Sequence, residues 1–446
     1  MTGEGRSDGA HALIPDLALA GLLCAFKLAI DACVLRLGFT HVSDDDYART
    51  VIAEHFAFAP RFDPSGTSWL PLPFWLAGGA MRFLGRSLGA ARLVAVVLGA
   101  AGVAAPFAAM RANRMPRARA LAATLIAMAL PWNAWLGVAT VPDGWIAGLI
   151  AAGVIGMRKD AARPWCGVAL LVASLARYEA WAAAATLAVY CGVRAARTTD
   201  RPVIGREIAC ALVALAGPAL WMAWNAHAHG SPVHFVARVS AFRRAIGAAA
   251  MPMSDKLLGY PRALVDDSPE AVVLAASGFV GLCFSAARRS RWQPALAAAF
   301  AVLAFLIVGD LGDGAPTHHP ARALGAVVWI LVALGVDTLA GDIISSAAPA
   351  RRVVAGIAAT AIAIAWVGSL PSRWAMAPGE GESERRDAQI ARGLELRRAR
   401  AANAEIVPCQ FEHFALIAAW GEPERVRVDA RTDAPITERC PRVISH

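Results

Sequence analysis

Charge is what this sequence has least of. Only 17% of its 446 residues are Asp, Glu, Lys or Arg, against about a quarter in soluble domains. So small a polar share cannot coat one or two globular cores, and it excludes a disordered chain as well. Lysine is nearly missing: Lys27, Lys159 and Lys256 are the three in the chain, and every other basic side chain is arginine. The eight cysteines form no C-x-x-C pair, which excludes a zinc ribbon and a thioredoxin motif. A Gly-rich nucleotide fingerprint, a Walker motif and a G-x-S-x-G elbow are also missing, so nucleotide-driven chemistry is not expected. The N-terminus lacks the basic stretch, short apolar core and cleavage site of a signal peptide. Residues 13–36 therefore read as a retained first span.

What is there is apolar. Hydrophobic residues make up 57% of the chain, the mean hydropathy is +0.48, and many runs approach the roughly 20 residues needed to cross a bilayer. They fall near 13–36, 88–110, 119–137, 143–157, 164–176, 180–193, 207–226, 269–287, 293–310, 321–339 and 352–370. The fold class is an all-α polytopic membrane protein of about eleven spans. Short basic connections set its orientation: Arg111 to Arg119, Arg158 to Arg163, Arg194 to Arg206, Arg288 to Arg291, and Arg351 with Arg352. Placing all five in the cytoplasm puts the N-terminus inside and the C-terminus outside. The net charge of +9 then speaks to topology and not to nucleic acid, for which no compact basic motif exists.

Two consequences follow from that orientation. Trp69–Gly85 cannot cross, so it reads as a juxtamembrane or re-entrant helix on the outer face, broken at its start by Pro71 and Pro73. The stretch 164–193 must be a hairpin of short helices turning at Arg177-Tyr178-Glu179. Residues 1–370 form the membrane domain, with 37–87 as an outer loop. Residues 371–446 read as a small extracytoplasmic α/β unit, with strands at 404–408 and 425–429 and a helix at 411–420. There Cys409 and Cys440 are candidates for a disulfide.

The outer face collects the polar clusters. Asp44, Asp45 and Asp46 follow the first span, and three adjacent carboxylates need a cation, an arginine or water to coexist. A solvated loop or a helix N-cap uses the same residue type. Asp143 sits at a tight turn, again as an N-cap or as a functional acid. Arg177 and Glu179 either pair at the interface or face a polar cavity, where ionisable groups at membrane depth are commonly functional. His318, His319 and Arg322 suit an anionic phosphate, while the loose spacing of Asp313, His318 and His319 argues against zinc. The loop 225–244 carries three histidines with Arg238, Arg243 and Arg244; a basic surface against anionic lipid would look the same. Lys27 and Asp31, four apart, share a face of the first span and read as an internal ion pair.

The order of these pieces resembles the GT-C superfamily of membrane glycosyltransferases, to which protein O-mannosyltransferases and the aminoarabinose transferases of lipid A belong. The pieces are a first span, an acidic loop, a helix opening on Trp69-Leu-Pro71-Leu-Pro73-Phe-Trp75, and then many spans. Arg177-Tyr178-Glu179-Ala-Trp181 is similar to an Arg-Tyr-Glu-Gly-Trp element of bacterial and archaeal members. Trp224-Asn225 with His229-Gly230-Ser-Pro232-Val-His234-Phe235 resembles a second. The resemblance covers about 13–340. Ala180 replaces the Gly, and the late Arg-Tyr-x-x-Pro pattern survives only as Arg322 after His318-His319-Pro320.

The resemblance implies sugar transfer from a polyprenyl-phosphate donor on the outer face of a bacterial inner membrane. The acceptor would be a lipid, glycan or protein hydroxyl. Asp44 would be the base, with Asp45 beside it and Asp46 the register alternative. Asp143 and Glu179 would orient hydroxyls beside Tyr178. Arg322, His318 and His319, with Arg177 or Arg243, would hold the departing phosphate. A divalent metal at Asp44 and Asp46 is conceivable, but metal-independent inversion is preferred. The alternative class, a lipid or small-molecule transporter, predicts an internal repeat and a midplane site; the sequence has neither.

Overall fold

Inside a bilayer the backbone has no water to bond with, so each apolar run must close its own hydrogen bonds as a helix. In the computed structural model every one of the eleven runs is helical. The structure describes residues 7–66, 68–157, 163–245, 252–313, 319–346, 349–378, 383–400, 405–407 and 413–428. The chain begins with α1 (Ser7–Arg36), α2 (Asp45–Phe58), α3 (Leu72–Leu84) and α4 (Leu88–Ala112). There follow α5 (Arg117–Ala129), α6 (Pro131–Val138), α7 (Asp143–Ile155), α8 (Pro164–Ser174) and α9 (Glu179–Ala196). The second half runs through α10 (Arg201–His229), α11 (His234–Ala245), α12 (Met253–Asp267), α13 (Pro269–Cys283) and α14 (Ala286–Asp313). A 3-10 turn, Pro320–Leu324, leads into α15 (Gly325–Ser346), and α16 (Pro349–Ala375) follows. The tail holds α17 (Ser383–Arg398) and α18 (Phe414–Trp420), with β1 (Glu405–Val407) parallel to β2 (Val426–Val428).

This is a multi-pass membrane protein. Five helices are each long and apolar enough to cross: Ile14–Arg36, Leu88–Ala112, Arg201–His229, Ala286–Gly312 and Pro320–Leu339. The run 119–137, expected as one span, comprises α5 and α6, which together are long and apolar enough to cross but bend by 72° between them. Pro131 has no N–H to give, and it pushes Leu130 out of the helical region to ψ 140°. Lys27 Nζ fastens this break to α1. It donates to Asp31 Oδ1 at 2.7 Å and to the Asn133 carbonyl at 3.0 Å. The expected pair inside the first span is therefore present.

Small residues bring the helices together where no hydrophobic force acts between them. At the crossing of α4 and α7, a Cβ on Gly148 would stand 2.3 Å from the Gly102 carbonyl oxygen. The hairpin expected at 164–193 is α8 and α9. The acidic loop, by contrast, is largely helix: α2 occupies it and packs on α3. These two helices, the 177–178 turn, the start of α7 and the 3-10 turn meet at one end of the bundle. The arginine loops gather at the far end, α4 alone separating the two by about 37 Å at 1.5 Å per residue.

The tail docks on the back of α2. Tyr47 and Val51 of α2 are buried against Leu396 of α17 and Leu416, Ile417 and Trp420 of α18. Arg86, before α4, grips both oxygens of Glu424 at 2.7–2.8 Å. Cys409 and Cys440 lie outside the described residues.

Candidate active site

Aspartates are favoured in the first turn of a helix, where they face the open N–H groups and the positive end of its dipole. The first turn of α2 sends its three to three different places. Asp46 turns inward and is 2% exposed. Its Oδ2 accepts the backbone N–H of Val42 and Ser43 at 3.1 and 3.3 Å, and its Oδ1 that of Thr140 at 2.6 Å. The carboxylate thus stitches α2 to the segment before α7. Asp45 Oδ2 receives Arg322 Nη1 at 3.1 Å, and the same nitrogen reaches Ser43 Oγ at 2.8 Å. Asp44 Oδ2 pairs with Arg386, which comes from α17. The side chains of Asp44 and Asp45 stay 42% exposed.

Asp143 begins α7 beneath them, with its side chain fully buried. Two guanidinium groups flank it, Arg177 Nη1 at 3.3 Å and Arg322 Nη2 at 3.6 Å. Neither contact is a hydrogen bond, so both Asp143 oxygens lack a hydrogen-bond donor among the described residues. Arg177 spends its Nε on Glu179 at 2.7 Å. Burial works against the Arg177 charge, but Asp143 and Glu179 outweigh it and hold the guanidinium protonated above its ordinary range.

Arg49 completes the group from α2. It is 5% exposed, lies 4.5 Å over the Trp69 ring, and has no hydrogen-bond acceptor for Nε or Nη1 among the described residues. Burial lowers its pKa to about 10, against the opposing pull of Asp45 and Asp143. It lines a small cavity of about 30 Å³ with Thr50, Phe74, Thr140 and Trp145. Arg322 Nε is likewise buried without an acceptor. The site therefore holds surplus donors and surplus acceptors side by side. Such groups cost stability and are rare in folded proteins.

No family model matches this chain, and no curated protein does. Solved structures do. ArnT from Cupriavidus metallidurans bound to undecaprenyl phosphate superposes with a TM-score of 0.55 at 17% identity, covering 95% of this chain and 90% of that one. The fold is that of ArnT. The apo structure of the same protein agrees, with a TM-score of 0.51, 17% identity, and coverage of 96% and 90%.

On this ArnT-like fold the expected residues part company. Asp45, Asp143, Arg177, Glu179 and Arg322 are joined in one chain of ion pairs, while Asp44 pairs with Arg386 of the tail. Asp46 does not join it as a reactive acid, because both its oxygens are committed to backbone N–H groups. For the same reason Asp44 and Asp46 do not form a chelating pair, and the residues do not fit a divalent metal there. Tyr178 serves packing: its hydroxyl donates to the Ser68 carbonyl at 2.6 Å and accepts from Trp221 Nε1 at 3.0 Å, and its ring stacks on Phe235. Both ends of the hydroxyl are thus occupied within the fold. His319 precedes the 3-10 turn with φ 57° and lies 5.7 Å from the Trp132 ring. His318 and the side chain of Arg243 lie outside the described residues. Sequence reasoning missed two members, Arg49 and Arg386. Arg49 had a signal, since three residues after Asp46 on a helix is the same face. Arg386 had none.

Proposed function

We propose that this protein is a membrane glycosyltransferase that moves a sugar from a polyprenyl-phosphate donor to an acceptor hydroxyl. One observation carries the reading: buried guanidinium N–H groups of Arg49 and Arg322 without acceptors stand beside an Asp143 carboxylate without donors. A ligand that brings both an anion and hydroxyls satisfies that arrangement, and a sugar phosphodiester brings both. The ArnT-like fold supports it, since ArnT is a GT-C aminoarabinose transferase and its structure was solved with undecaprenyl phosphate.

In this reading Asp44 takes the proton of the acceptor hydroxyl as its oxygen bonds to the anomeric carbon. The bond from that carbon to the phosphate breaks in the same step, so the configuration inverts. Polyprenyl phosphate leaves with the electron pair. Arg322 and Arg49, with Arg177 behind them, stabilise the developing phosphate charge in a site with little water. Asp143 and Glu179 orient sugar hydroxyls, and Asp45 holds Arg322. The site faces the periplasm of a bacterial inner membrane. About eleven spans put the N-terminus in the cytoplasm and the tail, as a small α/β unit, outside.

Purified protein in lipid nanodiscs, given radiolabelled polyprenyl-phosphate sugars, tests this. Wild type is expected to form labelled product, and Asp44→Asn to lose it. Transfer that survives both Asp44→Asn and Asp143→Asn would refute the site. Movement of labelled lipid across the bilayer with no new glycosidic bond would assign the chain to the transporters.

A further inference from the structure

We propose that Asp45 is a built-in counter-anion: it occupies Arg322 in the resting site, yields it to the donor phosphate, and speeds departure of the more highly charged product. The inference deepens the transferase reading and rests on it. Its basis is the unequal placement of the two partners. The Arg322 side chain is 6% exposed and that of Asp45 42%, so the acidic end of the pair is the one that water reaches. Asp45 gives one oxygen, Oδ2, to Arg322 Nη1 at 3.1 Å, and Arg322 is its one ion-pair partner among the described residues. Asp46, by contrast, is committed to backbone N–H groups, and Asp143 is buried between Arg177 and Arg322. Asp45 is therefore the acid that can leave Arg322 at least cost.

Donors for an incoming anion stand behind Asp45. Arg322 Nε and Arg49 Nε and Nη1 are buried without an acceptor among the described residues. The Asp45 charge also supports the protonated Arg49 more strongly than Asp143 does, so one carboxylate acts on both arginines. When Asp45 swings away, Arg322 keeps its place, because Ser43 Oγ at 2.8 Å and Asp143 Oδ2 at 3.6 Å still hold it. Opening a half-exposed pair costs little, since water solvates the freed carboxylate. A phosphate oxygen in its place gains charge-assisted hydrogen bonds from the waiting N–H groups. Asp45 stays tethered to the start of α2 and repels what has bound. A sugar phosphodiester carries a single negative charge, whereas the phosphate monoester left after transfer carries about 1.5 to 2 near neutral pH. The repulsion therefore falls harder on product than on donor, and a site that binds the donor does not trap what remains of it.

The experiment titrates full-length protein in lipid nanodiscs with fluorescent polyprenyl phosphate, and assays transfer with polyprenyl phosphate added as inhibitor. Wild type, Asp45→Asn, Asp45→Ser and Arg322→Gln are compared, each with its melting temperature. Asp45→Asn is expected to bind polyprenyl phosphate about fivefold more tightly than wild type. Its inhibition constant should fall by the same factor, and the donor KM by less. Asp45→Ser, which also removes the charge, should behave alike. Arg322→Gln should weaken binding, and in that background Asp45→Asn should gain less. A carboxylate that merely props Arg322 predicts the opposite sign, so binding that is unchanged or weaker in a folded Asp45 variant overturns the proposal. So does a donor KM that falls as far as the inhibition constant of the product. If wild type transfers no sugar from any donor, the transferase reading falls by itself. Titration with polyprenyl phosphate then decides alone: tighter binding by the Asp45 variants sustains the counter-anion, and unchanged, weaker or absent binding overturns it.

Discussion

Two buried aspartates, one at each end of the bundle, are each flanked by two arginines. Asp337 on α15, among the arginine loops, is fully satisfied. Its Oδ2 accepts from Arg291 Nη1 at 3.1 Å and Trp292 Nε1 at 3.0 Å, and its Oδ1 and carbonyl take Arg119 Nη1 at 3.3 and 3.1 Å. It binds α5, α14 and α15 into one body. Both oxygens of Asp143 go without a hydrogen bond, and its arginines are the more buried pair. Each has two arginines, but the geometry differs and Asp143 has no counterpart of the Trp292 indole among the described residues. A closed network is a fastener, while an open one at the same burial keeps its ion pairs but leaves hydrogen-bonding capacity that a ligand could use.

The largest expected effect separates the two directly. Asp143→Asn should cut transfer by about 100-fold or more, the scale of losing a preorganised polar group, while the melting temperature stays near wild type. The reverse holds for Asp337→Asn, which should leave transfer per folded molecule intact. It should cost about 2 kcal/mol, less than the 3–5 of a fully buried pair because Arg119 and Arg291 reach water. If Asp143→Asn unfolds the protein and Asp337→Asn abolishes transfer, the comparison is inverted. Next comes Arg49→Met, expected to raise the donor KM by about tenfold, or 1.4 kcal/mol, with less change in kcat. An unaltered donor KM would remove Arg49 from the anion site.

The smallest effect concerns a third kind of buried acid. Glu54 of α2 faces the seam with the tail, fully buried, and both its oxygens lack a hydrogen bond among the described residues. Burial pushes its pKa well above the usual carboxylate range, with Arg86 and Arg397 pulling the other way. The unfolded chain loses this proton near 4.5 and the folded one only at higher pH. Between the two the charged unfolded state is favoured, so stability falls as pH rises. Glu54→Gln should therefore melt above wild type at about pH 8 and equal it below about pH 4. A variant less stable than wild type at about pH 8 would mean that the Glu54 charge is paired in the fold.

Much of the architecture was legible before any coordinates. Hydropathy located every apolar helix because lipid imposes a local rule: each segment must bond its own backbone and show its own apolar surface. Pro131 was visible too, but the expectation ran a span through it. The carbonyls freed at the 72° turn, those of Ala127 and Ala129, needed Asn133 Nδ2 and the distant Trp374 Nε1 to hold them. In the acidic motif the residue types were right and their duties were not separable. Asp44, Asp45 and Asp46 are neighbours in sequence, and only the approach of Thr140, Arg322 and Arg386 distinguishes them.

The sequence by itself determined a helical membrane protein with its few acids concentrated beside a first span and at Asp143. Those properties are sums over local windows, and no distant residue alters them. The tertiary structure alone decided which carboxylate is spent on the backbone, which is held by the membrane domain and which by the tail. It alone left Arg49 Nε and Nη1 and both Asp143 oxygens without a hydrogen bond among the described residues. Ion pairing depends on separations of a few ångströms between segments up to 342 residues apart, and no periodicity in the chain encodes such distances.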